Sequence, residues 1–229
     1  MIRDRAFYKT IFRISLPAAF QALVSFLVVV ADDIMVSMLP NHTVAQAAVS
    51  QVNSITAFYT ATLTGLVSGS AVLIAQYWGK KDMVRIRSIF SLVLKFCVAV
   101  SLVFLAVAKF FPQAVVSIVI KGEETQVIAL ALEYFAIVCL TYVPYAVTTA
   151  LIGMLRSIEV VRITLATTLM ALFVNIGLNY ALIFGHFGLP AMGVRGAALA
   201  TLITRIVEMI MVWVYTFSIQ KKLDISPRE

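Results

Sequence analysis

Two adjacent carboxylates, Asp32 and Asp33, stand inside an apolar run that extends from Leu16 to Leu39. An ionised acid at membrane depth is costly unless it faces a cavity, an ion or a partner, so an intramembrane Asp reads as functional. Neighbouring helix positions point about 100° apart, and only one of the two can aim straight at a given site. Far downstream, Asn175 and Asn179 are four residues apart and so share one helix face, and Thr201 lies near the start of a further apolar run. Two amides at that spacing can also simply glue helices together. Depth adds weight to a common site. Counted from the inner ends, Asp32 lies about 70% along its span and the two Asn about 55–75% along theirs, while Thr201 is about five residues into a span running the other way. One carboxylate, two amide oxygens and a hydroxyl then meet in the outer half of the bilayer. Such a set suits a hard monovalent cation such as sodium, with Asp32, Asn175 and Asn179 as ligands. The same acid can instead take a proton, because a desolvated carboxylate favours its neutral form. The residues leave that choice open, and Asp33 stands as an accessory acid. A bundle that rearranges with this occupancy couples a gradient to transport, since a ligand shifts an equilibrium only through differential affinity.

These side chains need helices long enough to cross a membrane. The chain has 229 residues, 62% hydrophobic and 13% charged, with a mean hydropathy of +0.99. Soluble domains average about 45–50% apolar, so the composition is that of an all-α, polytopic membrane protein. Six apolar runs emerge: Ile14–Leu39, Val49–Trp78, Ile89–Phe111, Val127–Leu155, Ile163–Phe184 and Ala197–Ile219. Basic residues alternate between the connections. Arg3, Arg5, Lys9 and Arg13 precede the first run; Lys80, Lys81, Arg85 and Arg87 follow the second; Arg156 and Arg162 follow the fourth; Lys221, Lys222 and Arg228 follow the sixth. The intervening loops hold only Lys121 and Arg195. By the excess of Lys and Arg on the cytoplasmic side, both termini are expected inside. The organisation is therefore a cytoplasmic tail over 1–13, a six-helix transmembrane lobe over 14–219 and the start of a cytoplasmic linker over 220–229. The N-terminal run is too long for a signal-peptide core and reads as retained. A net charge of +7, carried in loops beside apolar runs, is a topology signal rather than a nucleic-acid footprint.

Other features weigh toward structure. Gly65 and Gly69 form a GxxxG pair, expected to let a neighbouring backbone approach. Pro17 reads as lying in the first turns of its span, where it is tolerated, whereas Pro144 sits well inside the fourth and should kink it. Lys95 and Glu133 lie near span ends and can reach the interface. Arg205 and Glu208, three apart, can pair on one helix face as a neutralised unit. Cys97 and Cys139 lack ligand spacing, and His42 and His186 are lone loop residues. Asn41-His42-Thr43 matches a glycosylation sequon. No nucleophile–base pair, metal-ligand cluster or phosphate loop points to an enzyme, and no cofactor is expected.

Longer stretches carry a resemblance. Pro17, Ala31-Asp32-Asp33-Ile34-Met35, Gly65-x-x-x-Gly69 and Ala75-Gln76-Tyr77-Trp78-Gly79-Lys80-Lys81-Asp82 form one block. Gly153-Met154-Leu155-Arg156-Ser157 and the stretch from Asn175-Ile176-Gly177-Leu178-Asn179 through Gly185 and Phe187-Gly188-Leu189-Pro190 to Thr201 form another. In this order and spacing they resemble the multidrug and toxic compound extrusion family. The resemblance implies a secondary transporter that exports organic, often cationic compounds such as drugs and toxins in exchange for sodium ions or protons. It matches the family's first-helix acid to Asp32, its paired polar residues of the fifth helix to Asn175 and Asn179, and a threonine of the sixth to Thr201. Asp33 departs from the family's usual small polar residue, and some members carry an acid where this chain has Asn179. Family members have twelve spans in two six-helix lobes with the substrate cavity between them, so the chain reads as the N-terminal lobe. Its expected partners are small organic substrates, membrane lipids and the second lobe, and its expected location is a bacterial inner membrane. Two alternatives stand beside the exporter: part of a flippase for lipid-linked precursors, and a non-transporting membrane scaffold subunit.

Overall fold

A computed structural model describes residues 5–40, 42–120 and 125–219. The described chain folds as helices: α1 (Arg5–Ser37), α2 (His42–Gly79), α3 (Met83–Phe110), α4 (Pro112–Val119), α5 (Thr125–Val138), α6 (Tyr142–Ser157), α7 (Arg162–Phe184) and α8 (Val194–Val214). A 3-10 turn, Cys139–Thr141, joins α5 to α6, and a π turn, Tyr215–Ile219, follows α8. Six of the resulting segments are long and apolar enough to cross a membrane, with α5 and α6 together forming one of them. The protein is an all-α, multi-pass integral membrane protein.

The helices depart from the sequence expectations in three places and agree with them in a fourth. α1 starts at Arg5, so the helix begins within residues 5–13, expected as tail, while its apolar span runs from Ser15 to Ser37 and Pro17 lies in the first turns of that span, as expected. The connection after α3 contains the helix α4, which Pro112 initiates at a position where its missing N–H has no intrahelical partner to lose. The fourth span breaks where Pro144 predicts a kink. Carbonyls on the N-terminal side of the break are taken by side chains: Lys109 Nζ donates to Ala136 O at 2.9 Å, and Thr141 Oγ1 to Val138 O at 2.6 Å. Finally, Gly65 and Gly69 are exposed, and a Cβ on either would meet nothing within 4 Å, so no backbone of the described chain packs on that pair. The close approaches are elsewhere. A Cβ on Gly196 would come within 2.5 Å of Leu182 O, which seats α8 on α7, and one on Gly153 would overlap Val67, which seats α6 on α2. Asn41 of the sequon, Lys121 and the linker 220–229 lie outside the described residues.

α7 is the axis of the packing, in broad contact with α8 on one side and α1 on the other. α2, α3, α5 and α6 pack among themselves, and α5 and α6 join this group to α8. α1 touches α2 only lightly, which leaves space between the two groups. Tyr59, fully buried, ties α2, α3 and α6 at the edge of that space. Its hydroxyl donates to Tyr142 O at 2.6 Å and lies 2.7 Å from Ser101 Oγ, and its ring stacks on Tyr142 at 4.2 Å.

Candidate functional site

α7 carries a buried polar stripe, Thr164, Thr168, Asn175 and Asn179, at offsets of four, seven and four residues. That spacing keeps them on one face of the helix. Hydroxyl and amide groups buried in an apolar helix must find partners or remain costly. The two threonines bond back to carbonyls of their own element, Thr164 to Val161 O at 2.7 Å and Thr168 to Thr164 O at 2.9 Å. The asparagines cannot do so as readily, and they look outward to a neighbouring helix.

That neighbour is α1. Asn179 Nδ2 donates to Asp32 Oδ1 and, at 3.1 Å, to Asn175 Oδ1. Asn175 is 1% and Asn179 0% exposed. Three of the four residues expected to form a site are thus joined by hydrogen bonds, and Asp32 rather than Asp33 is the acid aimed at the amides. Asn179 Oδ1 and Asn175 Nδ2 are buried with no partner among the described residues. Leaving a buried carbonyl oxygen without a donor costs about 1–3 kcal/mol; Asn179 lies behind Asp32 and Asn175, which line a cavity.

Thr201 is placed differently from the expectation of direct contact. Its hydroxyl donates to Ala197 O of its own helix at 3.0 Å, and it shares only the cavity with Asp32, its oxygen lone pairs remaining available. The cavity is about 550 Å³ and is walled by α1, α2, α5, α6, α7 and α8. Asp33 lines it as well, so both acids face protein space and neither is committed to lipid. Serine, threonine, asparagine and tyrosine side chains supply much of the remaining wall, among them Ser50, Asn53, Tyr134 and Tyr145.

Arg205 and Glu208 also line this cavity and form the pair expected from their spacing, with Arg205 Nη1 donating to Glu208 Oε2 at 2.8 Å. The guanidinium lies over the Tyr145 ring, 5.2 Å from its centroid. Glu133, expected at an interface, pairs with Arg195 at the start of α8. His186 stacks on Tyr180 at 4.1 Å.

Sequence reasoning missed a second contact of the α1–α7 seam. Gln21 Nε2 donates to Thr168 Oγ1 at 3.1 Å, and its Oε1 accepts from Arg156 Nη2 at 2.7 Å, which clamps α1 to α6 and α7 together. Gln21 and Thr168 are 147 residues apart, as are Asp32 and Asn179. The two contacts are therefore eleven residues apart on both helices, about 16 Å or three turns. A lone buried-type polar residue eleven positions before Asp32, matched by one eleven before Asn179, is the signal that could have found it.

The MatE family model matches residues 17–181. A probable multidrug resistance protein NorM of Bacillus cereus is 30% identical over 144 residues, covering 62% of this chain and 31% of that protein. The corresponding protein of Agrobacterium fabrum is 34% identical over 143 residues, with 62% and 30% covered. Among solved structures, an outward-facing multidrug resistance MATE transporter of the MOP superfamily superposes with a TM-score of 0.84 at 22% identity, over 96% of this chain and 47% of its own. The MATE multidrug transporter DinF-BH, solved as a complex, gives 0.85 at 22% over 96% and 48%. The chain thus spans about half the length of the solved transporters, and the aligned stretch about a third of the curated relatives.

Proposed function

The chain belongs to the MatE family, and from that premise we propose that it is the N-terminal six-helix lobe of a cation-coupled exporter of organic, often cationic compounds. The observation that carries this reading is the buried Asp32–Asn179–Asn175 group opening on a polar cavity. A carboxylate held by an amide at membrane depth, beside an unpartnered amide oxygen, has the donor chemistry of a sodium site or of a protonatable acid. Thr201 supplies a further oxygen and Asp33 further negative charge along the same wall. Binding a sodium ion or a proton there neutralises Asp32 and changes what α1 gains from lying against α7. Differential affinity between two arrangements of this seam is what coupling requires.

The exported compound passes between this lobe and a second six-helix lobe, as architectures built from two repeats do. The exposed face of α2 carries small and polar residues, Ser54, Ala57, Ala61, Thr64, Gly65, Ser68 and Gly69, together with Phe58 and Val72, a mixture that suits apposition to such a lobe. The cavity holds three carboxylates, Asp32, Asp33 and Glu208, against one guanidinium, which favours a cationic cargo over the polyanionic headgroup of a flippase substrate. By the distribution of Lys and Arg the end from which α1 departs is cytoplasmic, in a bacterial inner membrane.

The test is efflux of a fluorescent cationic dye from vesicles containing the complete protein under an imposed sodium or proton gradient. Gradient-driven dye loss is expected, and Asp32→Asn is expected to abolish it. Undiminished efflux in that variant removes the assigned site.

A further inference from the structure

The reading above leaves the Arg205–Glu208 pair without a task, although it stands in the wall of the same cavity as Asp32. Its geometry is unusual for a purely structural pair. Glu208 is deeply buried, its side chain 5% exposed, whereas Arg205 retains 32% exposure toward the cavity. The guanidinium is held by Glu208 on one side and by the face of Tyr145 on the other. On α8, Arg205 follows Thr201 by four residues, one turn, so the cation projects from the helix face that carries the candidate hydroxyl ligand. Arg205 from α8 and Asp32 from α1 line the same cavity. The groups that face Arg205 across the cavity are the Asp32 and Asp33 carboxylates of α1 and tyrosine hydroxyls of α2, α5 and α6; α7 contributes amides and hydroxyls.

A fixed positive charge beside a cation site opposes the cation. A carboxylate that neutralises the fixed charge relieves that opposition. Resting on the cation-site reading, we infer that Arg205 is a resident counter-charge for Asp32, shared between Asp32 and Glu208, and that Glu208 sets how strongly the guanidinium competes with the coupling cation. Arg205 sits on Glu208 and Asp32 on Asn179 in the described chain, so the guanidinium stands in the wall of the same cavity as a counter-charge that keeps the Asp32 carboxylate from being a bare charge in the membrane interior. This arrangement sets the affinity of the site without any direct ligand contact, and it makes Arg205 and Glu208 positioning and tuning residues rather than ligands.

The two residues act with opposite signs, which a merely structural pair would not do. In the complete protein in proteoliposomes, the readout is the concentration of the driving cation, sodium or proton as the wild type shows, that gives half-maximal dye efflux. Arg205→Gln is expected to lower that concentration about tenfold, and Glu208→Gln to raise it by a similar factor, the scale of one unit charge across a cavity of intermediate dielectric. Arg205→Lys should stay near wild type, and the double variant Arg205→Gln/Glu208→Gln, which restores the net charge, should return toward it. Shifts of the same sign in the two single variants, or none in folded protein, overturn the inference. Should Arg205→Gln fail to fold, Glu208→Gln carries the sign by itself, and an unchanged or lowered concentration there is equally fatal. Asp32→Asn, run in parallel, separates the two levels: coupled efflux in that variant removes the cation-site reading itself, whereas its loss together with unshifted Arg205 and Glu208 variants removes only this inference.

Discussion

At the scale of single residues, Asn179 is the hinge of the site. Its amide nitrogen serves both Asp32 and Asn175, and its oxygen has no hydrogen-bond partner among the described residues. Hydrogen bonds to a charged group contribute about 1.5–3 kcal/mol, which corresponds to about tenfold or more in affinity. Asn179→Leu is therefore expected to weaken the response to the driving cation at least tenfold while leaving the helices intact, as read by efflux titration and far-UV circular dichroism. Thr201→Val, which removes a hydroxyl already bonded to Ala197 O, should cost distinctly less. An equal loss in both variants would mean that Thr201 coordinates more directly than its present bond indicates.

At the scale of helices, the α1–α7 seam has two polar contacts in the same register, and the lower one holds α1 in place for the upper one. Gln21→Leu removes the bridge among α1, α6 and α7. The expected cost is about 1–2 kcal/mol, seen as a melting temperature lower by a few degrees in detergent. Gln21→Glu, which keeps an acceptor for Arg156, should recover much of it. Gly196→Val tests the α7–α8 contact more severely. Its side chain must displace backbone at Leu182, and overpacking of this kind costs about 1–3 kcal/mol or more. The same measurement checks it, with wild-type stability in the variant as the result that would deny the close approach.

At the scale of the whole molecule, the described lobe exposes two kinds of surface. α1 presents Phe12, Leu16, Phe20, Leu23 and Phe26, an apolar face suited to lipid. α2 presents the small and polar face that includes Gly65 and Gly69. If a second six-helix lobe covers the latter, the chain in vesicles by itself should insert and fold yet fail to move dye, and gradient-driven efflux by the chain alone would overturn that reading.

The amino-acid sequence by itself determined the membrane class, the six crossings and the resemblance to an extrusion family, because apolar length, charge alternation and motif order are properties of the chain read along its length. It also singled out Asp32, Asn175, Asn179 and the Arg205–Glu208 pair, since unpaired polarity in an apolar helix is conspicuous without any fold. That Asp32 rather than Asp33 meets the amides was an expectation from depth and resemblance, and its contact with Asn179 is decided by the tertiary structure, because adjacent helix positions differ by a rotation that packing against α7 fixes. The glycine pair in α2 misled for the same reason: small residues permit close approach, but only the arrangement of neighbours says whether anything approaches. Gln21, Thr168 and Arg156 acquired meaning solely from the tertiary structure, which brings together side chains 135 and 147 residues apart whose partnership leaves no local mark.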